Sequence, residues 1–420
     1  MIRTSADRGT TCPDTSEGAS SGRVGRATPA WPIVLLCLGL TGGLFLRTRQ
    51  LGPGQAEFAQ PADHHKYIHM AEHDPFGFHI APFCRRVGVP LLAKLIPART
   101  HASFALLAFL AVSGTGIGLY ALALSFGFRR AVAAVGVLAF FSLGWAAKFP
   151  LHNVYLPDAM VLLLVTLCIL CCQTRRWLLL AGLLALGVTI KESVLLVAPM
   201  VLVLPSNRHR GALLHRIAAV LPALAVLAAL HIGIPAWNDD PAYSRTLPSE
   251  LRQVDTSAPG YRLLRQIRRI GPLRWADRSL SAVHAYSVGT FGALSLILPW
   301  FDARRNTRRL LCFLPFLALV YAQLFFATDT QRLLVVASPV VLVLALHGVD
   351  RLDRACGVRP SVMILIPSAL FALNLLDPDR IAVPTRVEAC VLVAGALVAL
   401  ATRQPRRAQG AGDTSGHLPP

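Results

Sequence analysis

Acidic residues are scarce in this sequence. Only 22 Asp and Glu stand against 41 Lys and Arg in 420 residues, and charged residues of every kind make up 15% of the chain. A chain so poor in charge and 54% apolar, with the apolar residues in long runs, is excluded from the ordinary soluble class and belongs with polytopic membrane proteins. Nine Cys are scattered, with Cys168, Cys171, Cys172, Cys312 and Cys390 inside or at the ends of apolar runs and no CxxC pair beside clustered His. That pattern argues against a disulfide framework or a zinc ribbon. No repeat of fixed period is present, and no glycine-rich nucleotide loop joins a strand to a helix. A large soluble domain is also missing.

What is present is a series of apolar runs, at roughly 31–46, 102–126, 131–147, 156–172, 177–190, 193–204, 213–234, 282–300, 309–327, 333–348, 361–376 and 387–401. The sequence therefore predicts an all-α polytopic membrane protein of about twelve transmembrane helices, several shorter than the ~20 residues of a straight span. The run from Trp31 to Leu46 follows a polar tail without a small-residue cleavage motif and reads as a retained signal-anchor. Residues 1–30 and 402–420 read as disordered cytoplasmic tails flanking a membrane domain of residues 31–401.

Charge sets the expected orientation. With a cytoplasmic N-terminus, the inner loops hold Arg129, Arg130, Arg175, Arg176, Arg208, Arg210, Arg216, Arg304, Arg305, Arg308, Arg309, Arg351, Arg354 and Arg359, whereas the short outer loops hold Lys148, Lys191, Arg332, Arg380 and Arg386. The positive-inside rule then places both termini in the cytoplasm of a cell inner or plasma membrane. Reading 177–204 as one kinked helix would invert everything downstream. Two outer loops are long, 47–101 and 235–281. The first is expected to form short interfacial helices. In the second, YRLLRQIRRIGPLRWADRSL puts Leu263, Leu264, Ile267 and Ile270 near one face and Arg262, Arg265, Arg268 and Arg269 near others, which suits a basic helix in the headgroup plane.

The remaining ionisable residues gather on the exoplasmic side. The stretch PADHHKYIHMAEHDPFGFHIAPFCRR carries Asp63, Tyr67, Glu72, Asp74, Arg85, Arg86 and five His; KFPLHNVYLPDAM carries His152, Asn153, Tyr155 and Asp158; TIKES carries Lys191 and Glu192; and ATDTQR carries Asp329 and Arg332. An unpaired charge at a membrane boundary is costly, so each is either a functional group or half of an ion pair, with Glu192 and Asp329 the nearest partners for Lys191 and Arg332. His65, His69 and His73 recur at i, i+4 and i+8. On a helix they share a face and, with Asp63 or Asp74, are candidates for a divalent metal.

The order of DHHKY after the first span, then PFCRRVGVPLLA, NVYLPDAMVLLLV, GVTIKESVLLVAP and TDTQRLLVVASP resembles the GT-C superfamily of integral membrane glycosyltransferases. The likeness is nearest to bacterial protein O-mannosyltransferase-like and aminoarabinose transferase-like members, and it spans roughly residues 31–350. It implies a catalytic carboxylate in the first exoplasmic loop, at Asp63, and a polyprenyl-phosphate sugar as donor. Many members carry two adjacent acidic residues there, whereas Asp63 is followed by His64.

The residues fit such chemistry on their own terms. Exoplasmic glycosyl transfer has no nucleotide sugar to draw on, so the donor is lipid-linked and the leaving group is a phosphate. Asp63 is placed to take the acceptor hydroxyl's proton. Arg85, Arg86, Lys191 and Arg332 are placed to hold the donor phosphate, with Tyr67, Asp158, Glu192 and Asp329 in support. The expected partners are the lipid-linked sugar, a glycan, lipid or protein acceptor and the membrane, with no nucleic acid. Two alternatives carry different signatures. An O-antigen ligase or polymerase would have a large late periplasmic loop, partly met by 235–281. A twelve-helix secondary transporter would place its charges near the bilayer midplane and show internal repeats.

Overall fold

All twelve apolar runs fold as helices, whole or in pieces, because chains rich in Leu, Ala and Val satisfy their backbone polar groups internally. The computed structural model describes residues 31–52, 63–203, 211–237, 240–248, 251, 280–303, 307–325 and 330–402, and no strand occurs among them. Both expected tails lie outside the described residues, except that helix continues into the 401–402 turn. Asp329 and the basic segment from Arg262 to Arg269 lie outside them as well.

The helices that organise the fold are α1 (Trp31–Arg47), α2 (His64–Glu72), α3 (Gly88–Leu95), α4 (Thr100–Ser125), α5 (Arg130–Ser142), α6 (Asp158–Gln173) and α7 (Trp177–Ile190). They are followed by α8 (Gly211–Gly233), α9 (Leu280–Ile297), α10 (Thr307–Ala322), α11 (Ser338–Cys356), α12 (Leu365–Leu376) and α13 (Thr385–Ala401). Four stretches, Thr100–Ser125, Leu213–Gly233, Ser281–Asp302 and Thr330–Ala355, are long and apolar enough to cross a membrane. A fifth is reached if Arg130–Ser142 and Gly144–His152, bent by 74°, form one span. The other apolar helices are shorter, so the runs are helical as expected while the number of spans that length alone supports is four or five.

Helix α4 is the hub of the first half. Its small residues let neighbours approach: Gly114 and Gly118 face Leu163 and Thr166 of α6, and Gly116 faces Phe141 of α5. Ser113 Oγ donates to Thr41 Oγ1 of α1 at 2.9 Å, and Thr41 donates onward to the Cys37 carbonyl. At Lys191 the chain leaves α7 in an extended conformation, and a 3-10 turn, Glu192–Val197, packs back against α7. The two short apolar segments flanking Lys191 are therefore separate elements rather than one continuous helix.

The first long loop contains short helices, α2, a 3-10 turn at Phe83–Arg85 and α3, as expected. It is stapled to the second long loop: Trp237 N–H donates to the His79 carbonyl at 2.8 Å, His79 N–H donates to Tyr243 Oη at 2.9 Å, and the His79 and Trp237 rings lie 3.8 Å apart.

Ion pairs mark two opposite ends of the bundle. Gln173 at the C-terminus of α6 donates to the Ser125 carbonyl at the C-terminus of α4, so those helices run parallel. Near the start of each, Tyr155 Oη and His101 Nδ1 meet at 2.8 Å, with Gln50 on the other His101 nitrogen. At the far end of α11, Arg129 pairs with Asp350 and Asp353, and Arg354 pairs with Asp350. Residues 129, 351 and 354, expected on one side, thus do share one end, and the described residues of the charged motifs expected on the other side share the other.

Gly144 follows the bend after α5, and a Cβ there would stand 1.9 Å from the Ile381 carbonyl oxygen and 2.7 Å from Ala382 Cα, both backbone atoms. Gly144→Ala should therefore destabilise the protein by about 1–3 kcal/mol, the usual range for overpacking. A lowered thermal unfolding midpoint in detergent checks this, and an unchanged midpoint would contradict the close approach.

Candidate functional site

Helix α2 carries Asp63, Lys66 and Tyr67 at i, i+3 and i+4, one above another on a single face. That face turns inward, and Lys66 and Tyr67 are both buried. Next in the chain, the Phe83–Arg85 turn presents Arg86. Gly88 opens α3 so close to Thr189 and Ile190 that a Cβ would lie 2.7 Å from their side chains. This contact brings Arg86, two residues earlier, beside Glu192, two residues after Ile190.

Arg86 grips Glu192 through two nitrogens, with Nε to Oε2 at 3.0 Å and Nη2 to Oε1. Its Nη1 lies 3.5 Å from Tyr67 Oη. A forked guanidinium–carboxylate contact of this kind fixes orientation as well as charge. The partner of Lys191 is not Glu192, as sequence adjacency suggested. Lys191 Nζ donates to Asp158 Oδ1 at 2.7 Å, and Arg332 Nε donates to Asp158 Oδ2 at 2.9 Å. Adjacent residues leave the chain in different directions when the backbone is extended, so Lys191 and Glu192 serve different partners.

Asp158 sits in the first turn of α6 behind Pro157, which sets the helix start. The helix N-terminus favours its negative charge. Asp63 lies on the other side of Arg332, with Oδ2 3.8 Å from Nη1, while Lys66 Nζ stands 3.6 Å from Oδ1. Both contacts are ion pairs beyond hydrogen-bond length. Asp63 is also less enclosed, with 35% of its side chain exposed against 9% for Asp158.

Aromatic faces complete the walls. Lys66 Nζ lies 4.0 Å from the centre of the Phe83 ring, and Arg332 lies over Phe149 at 5.8 Å. Burial pushes Lys66 below the ordinary lysine range against the pull of Asp63. Burial likewise pushes the Tyr67 hydroxyl up to about 12, so Tyr67 is a hydrogen-bonding group and not a base at neutral pH. Arg85 borders the cluster in sequence, and its Nε is buried with no hydrogen-bond partner among the described residues.

The sequence reading therefore brings together Asp63, Tyr67, Arg86, Asp158, Lys191, Glu192 and Arg332. Lys66 and the rings of Phe83 and Phe149 were missed. Lys66 was readable from the i, i+3 spacing to Asp63 within DHHKY, whereas the two Phe carry no sequence mark distinguishing them from core. Among the described residues of the cluster, the cations Lys66, Arg86, Lys191 and Arg332 face the carboxylates Asp63, Asp158 and Glu192, four against three.

The histidine stripe is a correction. α2 is helical over His65 and His69, but His73 has left the helix as its cap, where its ring stacks on His69 at 4.2 Å and its Nδ1 meets the His69 carbonyl. His65 is packed instead against His64, 4.1 Å away. No group of three or more His, Cys, Asp or Glu among the described residues is arranged to hold a metal ion. Asp74 caps its own turn by accepting from the Phe76 amide.

Neither protein-family models nor curated proteins give a match to this chain.

Two outcomes are expected. Asp158→Asn leaves Lys191 and Arg332 without their shared carboxylate and should cost about 3–5 kcal/mol, as breaking buried pairs does, while Asp63→Asn, at a more exposed site, should cost about 0–1 kcal/mol. Thermal unfolding of both variants in one detergent checks the order, and equal losses would refute it.

The second concerns pH. Burial, together with the neighbouring His73, holds His69 below the ordinary histidine value of 6.5. The folded protein then binds fewer protons than the unfolded chain between the depressed value and 6.5. The contribution of neutral His69 is complete above 6.5 and is lost as the pH falls through the folded value. His69→Gln should flatten the fall in unfolding midpoint on going from pH 7 to 5. An identical fall in the variant would remove His69 as a cause.

Proposed function

We propose that this chain is a membrane glycosyltransferase of the GT-C type. In this reading it moves a sugar from a polyprenyl-phosphate donor to an exoplasmic acceptor with inversion, across about twelve spans with both termini cytoplasmic. The observation that carries the reading is the meeting of four motifs, far apart in the chain and all expected on one side of the membrane, in one charged cluster at one end of the bundle.

Asp63 is the base. Asp158 and Glu192 are each hydrogen-bonded to cations, whereas the nearest cations to Asp63 lie at 3.6 and 3.8 Å, so its lone pairs remain open to an acceptor hydroxyl. As the acceptor oxygen bonds to the anomeric carbon, its proton passes to Asp63. The bond from that carbon to the phosphate oxygen breaks, and its electron pair leaves with the phosphate. Cations at the membrane boundary stabilise that growing charge in a region where water screens it little. Among the described residues, the excess of cations over carboxylates supports a site for an anion. Because Asp158 already binds Lys191 and Arg332, these two act as a fixed positive wall, and Arg85, whose Nε makes no hydrogen bond among the described residues, is the further candidate to hold the phosphate.

Asp63→Asn should lower transfer by about 10²–10⁴-fold with a stability loss of no more than about 1 kcal/mol. A loss under tenfold would move the base to Glu72, Asp74 or Asp158. Arg85→Ala should weaken donor use severalfold without loss of stability. Reporters fused after Arg176 and near Asp255 should read cytoplasmic and exoplasmic, and the reverse would place the cluster on the wrong side for a lipid-linked donor.

A further inference from the structure

A second polar feature lies away from the charged cluster. Helix α9 is interrupted at Gly292, which adopts φ 72° and ψ 148°. A side chain would be strained at that φ, and its Cβ would stand 2.6 Å from Glu388 Oε1. Glu388, in the first turn of α13, reaches into the gap, and its Oε1 accepts the Ala293 amide proton at 2.8 Å. It is buried, at 8% exposure, and that amide is its one polar contact among the described residues.

Beside it is a cavity of about 50 Å³ whose lining includes Ser142, Gly144, Thr290, Ser295, Pro367 and Glu388. Glu388 is the only titratable residue among those lining it. The volume exceeds what one water-sized guest needs. The hydroxyls of Ser142 and Thr290 spend their protons on the Ala139 and Tyr286 carbonyls, at 2.7 and 2.8 Å, so the lone pairs of both oxygens remain. The break at Gly292 also interrupts the i to i+4 ladder of α9, releasing carbonyl oxygens that an unbroken helix would use.

A single carboxylate among apolar helices, held by one amide and no basic side chain, is costly unless it takes a proton or its charge is balanced by a cation. The Ser142 and Thr290 oxygens accept and do not donate here, the preference of a hard cation. One carboxylate balances one positive charge, and a divalent ion would leave the second uncompensated in a low-dielectric interior. Interrupted helices with freed carbonyls are a recurring way to build such sites in membranes.

We propose that the cavity at the Gly292 break binds a monovalent metal cation of the sodium type, with Glu388 as counter-charge and Ser142 and Thr290 as neutral oxygen ligands. The site is independent of the transferase reading, since none of its residues belongs to the charged cluster.

The test uses the full chain purified in detergent. Thermal unfolding is followed while sodium chloride replaces choline chloride at constant ionic strength, and binding of radioactive sodium is measured at equilibrium. Sodium should raise the midpoint saturably by several degrees, and binding should approach one ion per chain. Glu388→Gln should abolish both effects, and Thr290→Val should shift the midpoint titration to higher sodium. Equal midpoints in the two salts together with no bound sodium would overturn the site, as would a sodium effect undiminished in Glu388→Gln. Should that variant not fold, the wild-type binding measurement and the Thr290→Val titration decide the matter alone.

Discussion

Asp158 is the constraint on which the charged-cluster end of this protein depends. Its carboxylate starts α6 and binds a lysine that ends α7 and an arginine that leads into α11, so three helices distant in sequence converge on two oxygen atoms. Each of the three charges alone would be expensive at the edge of a hydrocarbon layer, and together they leave a single net positive charge, which Arg332 shares with Asp63. Arg332 then extends the array toward Asp63 on α2, and Arg86 with Glu192 ties the first long loop to the turn after α7. The loop that carries the proposed base is thereby held to the membrane helices through charge, while the small residues of α4 let the helices beneath it come close.

The arrangement separates two tasks that the sequence motifs leave mixed. Asp158 and Glu192 are saturated by hydrogen bonds and serve as structural counter-charges. Asp63 is loosely paired and partly exposed, which suits a group that must exchange a proton. A charged cluster paired largely within itself keeps its shape, so in the proposed reaction an incoming anion would meet groups already oriented, with little reorganisation at the moment of bond breaking.

Helix was legible almost everywhere because apolar runs of Leu, Ala and Val have no other way to satisfy their backbones in a membrane. The breaks were less legible. The separation of α7 from the following turn was readable at Lys191, where charge interrupts the apolar pattern. The interruption at Gly292 was not, since one glycine among many in apolar helices has no mark of its own and its cause, Glu388, lies about a hundred residues away. The charged motifs at 63, 86, 158, 191 and 332 were visible because ionisable residues stand out against so apolar a chain. Their pairing was hidden: Lys191 prefers a residue 33 positions earlier over its own neighbour, a matter of backbone direction that spacing does not record. Of the histidine stripe, His69 and His73 do stack as their spacing implies, whereas His65 packs on His64 and the three do not form a metal-holding group.

Helix α11 and the turn leading into it form the most enclosed of the long apolar stretches, and they carry charge anchors at both ends. Sliding this post by one helical turn, about 5.4 Å, would break the pairs to Asp158 at one face of the bundle and those from Arg129 at the other. Its vertical register is therefore locked at two points. Any rearrangement that keeps these pairs intact leaves α11 still, so this helix is the fixed post against which the rest of the bundle is packed.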